Sequence, residues 1–123
     1  MEITAAVLRD QQGPYSIEPV TLGDPRPDEV LVRIVGVGMC HTDVLPRAEG
    51  TISPPPIIAG HEGAGVVEAV GAEVTDVAVG DHVVLSFESC GACPACLDHR
   101  PYACVEFFVR HLGDAGTAQE ATS

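Results

Sequence analysis

The chain has 123 residues, 46% of them apolar but only 4% aromatic, and its 18 acidic against 6 basic side chains give a formal charge of −12. One core fits that length, hiding roughly two-thirds of the unfolded chain's surface. The negative field repels phosphate backbones and anionic headgroups, which excludes nucleic acid and membrane surfaces as partners.

The apolar residues lean on Val and Ala with no Trp, a β-branched bias that predicts a mainly β protein. Residues 1–10 show no basic patch followed by a long apolar run, so no signal peptide is visible. The longest nearly apolar stretch, 30–40, contains Arg33 and falls far short of the ~20 residues that span a bilayer. A soluble, cytoplasmic protein is the expectation.

In chain order, residues 3–8 form a short strand ended by Asp10 and Gly13-Pro14, and 15–20 pairs back on it as a hairpin. Pro25 and Pro27 break the pattern. Val30, Val32, Ile34 and Val37 sit close to period two, which predicts a strand over 30–37 that delivers Cys40 just beyond its end. Thr42 or Asp43 is placed to cap a short helix reaching Ala48, curtailed by Pro46. Pro54-Pro55-Pro56 force an extended segment, and Ile57-Ile58-Ala59 lead to His61 on a glycine-flanked bend.

Residues 65–70 read as a further strand, and Gly80-Asp81 as a tight turn before a last one at 83–85. Short strands punctuated by Gly and Pro suggest a compact barrel or folded sheet. From 88 to 104 the periodicity disappears, so that lobe needs support other than a core. Residues 111–123 are small and polar without an apolar period, and read as a frayed tail.

Cys90, Cys93, Cys96 and Cys104 form CxxCxxCx7C. Four thiolates are what a closed tetrahedral zinc site takes, and two-residue gaps let the backbone curl around one ion. Gly91 permits positive φ in that curl and Pro94 fixes φ. An iron–sulfur cluster is the competing occupant, since it also takes closely spaced thiolates; free thiols or a disulfide are the plainer alternative, against which the spacing argues. A closed set leaves no position for substrate, so a metal there is mechanical.

A lone Cys and a lone His are more often core or surface residues than ligands. Here context changes the reading. Gly60-His61-Glu62-Gly63-Ala64-Gly65, followed by Gly71 and Val74, resembles the zinc signature of medium-chain alcohol dehydrogenases. Cys40-His41-Thr42-Asp43 resembles that family's first catalytic-zinc segment, Gly80-Asp81 with Val83 its turn before the lobe, and CxxCxxCx7C its structural-zinc lobe. Four motifs in order cover most of residues 1–110. Ala5-Ala6-Val7-Leu8 and Leu85-Ser86-Phe87 look more like the aryl or benzyl alcohol branch.

The resemblance implies a GroES-like β-barrel catalytic domain over 1–110, with a loop-rich zinc lobe at 88–104. In complete members a doubly wound domain holding NAD or NADP follows. It assigns a catalytic zinc to Cys40 and His61, with Glu62 beside it as an occasional ligand, and a structural zinc to Cys90, Cys93, Cys96 and Cys104. Asp43 orients the ligand His, Thr42 accepts the alcohol proton and starts its relay, and His41 meets the cofactor's pyrophosphate. An open-sided zinc draws density from an alcohol oxygen, so that the alkoxide forms near neutral pH and passes hydride to the nicotinamide. The substrates implied are a small primary alcohol, aromatic in the branch named, and its aldehyde. His82, His99 and His111 have no motif support and read as surface residues.

The sequence also departs from the pattern. No Cys follows Cys104, leaving the catalytic set without the family's usual third ligand and therefore a weaker binder. No GxGxxG follows a strand, and Gly36 and Gly38 are too few and too close to Cys40 to serve, so the nucleotide-binding domain is absent. Leu45 stands where some members carry a relay His, His99 where a Gly is common, and the pattern lapses after Gly113. An enzyme domain inactive in isolation is expected, with an apolar face left uncovered and self-association into a homo-oligomer as the consequence. A non-enzymatic zinc-binding module on the same fold is the alternative.

Overall fold

A computed structural model describes residues 1–51 and 54–112. Strand β1 (Glu2–Leu8) and β2 (Tyr15–Thr21) form the predicted hairpin, in antiparallel register from Leu8 opposite Tyr15 to Glu2 opposite Thr21. Its turn is closed where the Gly13 N–H donates to the Asp10 carbonyl at 2.9 Å. β3 spans Val30–Val37, as the period predicts. After the triple proline, β4 (Ile57–Ile58) pairs on the other side of β1, making the sheet β2-β1-β4.

β5 (Gly63–Val70) lies between β3 and β6 (His82–Val84) in a second antiparallel sheet, β3-β5-β6. The protein is therefore mainly β. Its strands make two three-stranded sheets rather than one continuous ladder, and the helices are short. Among the described residues no helix is long and apolar enough to cross a membrane.

The core is small. Leu8 and Val67 are fully buried, with Val7 and Val20 close behind. Adjacent residues of a strand face opposite sides, so burial of both Val7 and Leu8 means that the end of β1 is covered on both faces. β3 behaves differently: its period-two pattern does not become a buried face. Ile34 is 49% exposed, Val35 65% and Val37 64%. Two register shifts interrupt its pairing with β5, between Leu31 and Val32 and between Ile34 and Gly36, and side chains on both faces of the strand stay exposed.

Val84, on β6 across β5 in the same sheet, is 80% exposed, so this end of the second sheet presents uncovered apolar side chains. The expected result is concentration-dependent association in light scattering; a monomer at every concentration would count against it.

Helix placement departs from expectation at two points. The segment after β3 is a 3-10 helix, His41–Arg47, and its cap is neither Thr42 nor Asp43 but Cys40. The Cys40 Sγ accepts the Thr42 N–H at 3.4 Å, while the Asp43 carboxylate reaches back to the Cys40 N–H at 2.8 Å. This is a capping box with sulfur in the hydroxyl's place. Farther on, α1 (Pro94–Leu97) and a 3-10 turn (Pro101–Ala103) build the lobe, and α2 (Phe107–Leu112) closes it. α2 thus takes in His111 and Leu112, which the sequence reading gave to the frayed tail; positions 113–123 lie outside the described residues.

Candidate metal centres

Cys40 arrives at the end of β3 and His61 on the bend that enters β5, so pairing of those two strands brings them together. Cys40 Sγ lies 3.2 Å from His61 Nε2, and Glu62 Oε1 lies 3.8 Å from the same nitrogen. The ligand atoms of Cys40, His61 and Glu62 all fall within 4.8 Å of one another, close enough to hold one ion. Cys40 and His61 are half-buried and Glu62 is exposed, so the group opens on one side.

Asp43 explains the ring's orientation. Its Oδ1 is buried without a hydrogen-bond partner and sits 3.6 Å from His61 Nδ1. A buried carboxylate oxygen needs a donor, and a proton on His61 Nδ1 would supply one from that side. That tautomer leaves the Nε2 lone pair facing Cys40 and Glu62, which is the form that ligates a metal. The donor set, one thiolate, one imidazole and one carboxylate, suits a zinc-like ion. Asp43 is itself held, since the Tyr15 hydroxyl on β2 donates to its carbonyl at 2.8 Å. Partial burial, then the nearby Asp43 charge, push the Tyr15 phenol up from its ordinary pKa.

Phe87 stacks on the other side of His61, with ring centroids 5.7 Å apart and planes 21° from parallel. It meets Phe107 and His111 edge-on at 5.2 and 5.4 Å. His111 is therefore not the surface residue the sequence suggested. Half-buried, it accepts the Glu88 N–H on Nε2 at 2.9 Å, which leaves the proton on Nδ1 to reach the Phe107 carbonyl at 2.7 Å. The partner is 23 residues away, and no local signal announces it. His82 and His99 are exposed, as expected. His99 has φ +57°, a left-handed conformation that suits the glycine usual there. His41 and Thr42 are exposed on the 3-10 helix beside Cys40.

In the lobe, Cys90, Cys93, Cys96 and Cys104 gather with their sulfurs within 4.8 Å of one another. Gly91 has φ +68°, as its place in the curl predicts, and Pro94 opens α1. The Cys93 N–H donates to Cys90 Sγ at 3.3 Å and the Cys90 N–H to Cys104 Sγ at 3.4 Å. Amides aimed at sulfur favour thiolates. The Val105 amide, then that of Cys96, lowers the Cys93 pKa to about 6, and the Cys90 amide lowers that of Cys104. Burial, then its bond with Cys93, pushes Cys96 up to about 11.

Any thiol of this cluster that still carries its proton must lose it to become a ligand. Zinc loading at pH 7 is expected to acidify an unbuffered solution, and a pH-stat trace with no proton release would contradict four-thiolate binding.

Two three-stranded sheets thus carry an open Cys–His–Glu group and a lobe that gathers four cysteines. The chain belongs to the alcohol dehydrogenase GroES-like domain family, whose model matches residues 26–123, running past Gly113, where the sequence reading saw the pattern lapse.

Over 111 residues the chain is 51% identical to geraniol dehydrogenase of Castellaniella defragrans, covering 90% of this chain and 30% of that protein. The crystal structure of an alcohol dehydrogenase zinc-binding domain protein from Burkholderia ambifaria superposes with TM-score 0.89 at 48% identity, covering 95% of this chain and 32% of that one. Benzyl alcohol dehydrogenase from Acinetobacter calcoaceticus also gives 0.89, at 40% identity, covering 97% and 33%. The chain spans about a third of the length of each of these relatives.

Proposed function

We propose that residues 1–110 are the catalytic domain of a zinc-dependent alcohol dehydrogenase that oxidises a primary alcohol, aromatic or comparably bulky, to its aldehyde with NAD or NADP as acceptor. The observation that carries this reading is the approach of Cys40 Sγ, His61 Nε2 and the Glu62 carboxylate to one point open on one side. Geraniol and benzyl alcohol in the names of two relatives support the substrate class.

Zinc bound there supplies Lewis acidity toward an alcohol oxygen. Cys40 and His61 hold it, with Glu62 flanking, while Asp43 fixes the His61 tautomer from behind. Phe87 excludes water from the ring face it covers. Thr42, exposed two residues from Cys40, takes the alcohol proton; Leu45 offers no acceptor, so the proton leaves directly to solvent. His41 on the same helix is the donor for the cofactor's pyrophosphate. Cys90, Cys93, Cys96 and Cys104 close a tetrahedral set around a structural ion and take no part in chemistry.

Metal analysis tests the assignment. About two zinc ions per chain are expected by the two donor sets, with Cys40→Ser removing one and Cys90→Ser the other. A single ion that Cys90→Ser alone removes would instead favour a non-enzymatic zinc-binding module. The 123-residue chain alone is expected not to reduce NAD with benzyl alcohol, and a robust rate above a zinc-only blank would refute that.

A further inference from the structure

Resting on that reading of the open site, we propose that Gly38 is a positioning residue for Glu62: its bare α-carbon is the space into which the carboxylate folds to reach Cys40 and His61. Gly38 follows β3 and precedes Cys40 by two residues, and its N–H donates to the Glu62 carbonyl at 2.9 Å. A β-carbon added at Gly38 would lie 2.1 Å from Glu62 Oε2, 3.1 Å from Glu62 Cβ and 3.2 Å from Glu62 Cδ. All three nearest atoms belong to that one side chain.

Backbone conformation is not the reason for glycine here. The described glycines with positive φ are Gly50, Gly60, Gly80 and Gly91, and Gly38 is not among them. Its φ lies outside the region that favours glycine, so what the position demands is room.

The two carboxylate oxygens divide the work. Oε2 packs over Gly38 while Oε1 lies 3.8 Å from His61 Nε2. The main chain on both sides is pinned, by the Gly38–Glu62 bond and by Val37 pairing with Gly63. A methyl group at 38 is therefore relieved by turning the carboxylate outward, and with the Glu62 side chain 46% exposed the way out is open. Turned outward, it leaves the ion only Cys40 and His61.

The test uses the full chain with its lobe first loaded with one equivalent of zinc, titrated with cobalt(II) and read by the cysteinate-to-cobalt absorption that Cys40→Ser abolishes. Gly38→Ala is expected to weaken cobalt binding about tenfold, the lower end for groups that orient a ligand. In a Glu62→Ala background the same change is expected to alter affinity less than about twofold, because the atoms it would strike are gone. Unchanged lobe zinc in every variant, and normal folding of Gly38→Ala/Glu62→Ala, exclude misfolding as the cause.

Equal weakening in both backgrounds would show a backbone effect and overturn the proposal, as would wild-type affinity in Gly38→Ala. A crystal structure of metal-free Gly38→Ala with the carboxylate still over residue 38 would overturn it whatever cobalt does. Absence of any Cys40-dependent cobalt in the wild type would sink the dehydrogenase reading instead, and the crystallographic arm would still decide the role of Gly38.

Discussion

Cys104→Ser is expected to strip the lobe of its ion and leave residues 88–112 without persistent structure. The lobe has little else. Its buried apolar residues, among those described, are Cys93 and Cys104 themselves, and its helices run for four, three and six residues, whereas isolated helices below ~12–15 residues are marginal in water. No strand ladder crosses it among the described residues. What remains is the packing of Phe107 and His111 on Phe87 and a surface cluster in which Arg110 pairs with Glu88 and Glu106, and exposed ion pairs contribute little.

A serine oxygen replaces a buried thiolate poorly as a zinc ligand, and without the ion the three remaining sulfurs have little reason to stay together. Zinc per chain should fall by one, and limited proteolysis should cut first within 88–112. Retained zinc with an unchanged digestion pattern would contradict this account. Because Phe87 is clamped between His61 on one side and Phe107 and His111 on the other, the open site should loosen as well. Its cobalt affinity should drop although no ligand of that site has been touched.

The second large effect lies at the opposite end of the chain. Leu8 is fully buried, paired with Tyr15 on one side and Ile57 on the other. Leu→Ala at such a site costs about 2–5 kcal/mol, out of a total stability on the order of 5–15 kcal/mol for a domain. Buried aliphatic side chains are few here, so Leu8→Ala is expected to lower the thermal midpoint by on the order of 10 °C or more. Ile17→Ala on the same hairpin, at a side chain 73% exposed, should stay within about 0.5 kcal/mol of wild type. Equal midpoints for the two variants, followed by circular dichroism, would show that Leu8 is not the keystone its burial implies.

The strands were legible in the sequence because apolar runs ended at Gly-Asp, Gly-Pro and Pro-Pro signals, which fix local chain direction with no help from tertiary contacts. The approach of Cys40 to His61, and the gathering of four cysteines, were legible too, through motif order rather than through any property of the single residues.

Other features were decided at a distance. Whether the β3 side chains are covered depends on what packs against the sheet, and a period-two count cannot see a partner. Cap preferences favour Ser, Thr, Asp and Asn, so a sulfur cap at Cys40 went unread. The placing of His111 rests on one amide in a distant loop. Gly38 drew notice only as a poor nucleotide-binding glycine, because its tie to Glu62 spans the β3–β5 pairing and leaves no local mark.

The hydroxyl of Tyr15, bonded to the Asp43 carbonyl, has a practical corollary. The family match begins at residue 26, yet the hairpin ahead of it contributes Val7, Leu8 and Val20, three of the four buried Val and Leu side chains among the described residues, together with this tether. Trimming the protein back to the matched segment would discard the brace along with most of the interior. The opening arm therefore belongs to the metal pocket as scaffolding belongs to a wall, and any dissection of this domain should begin at Met1.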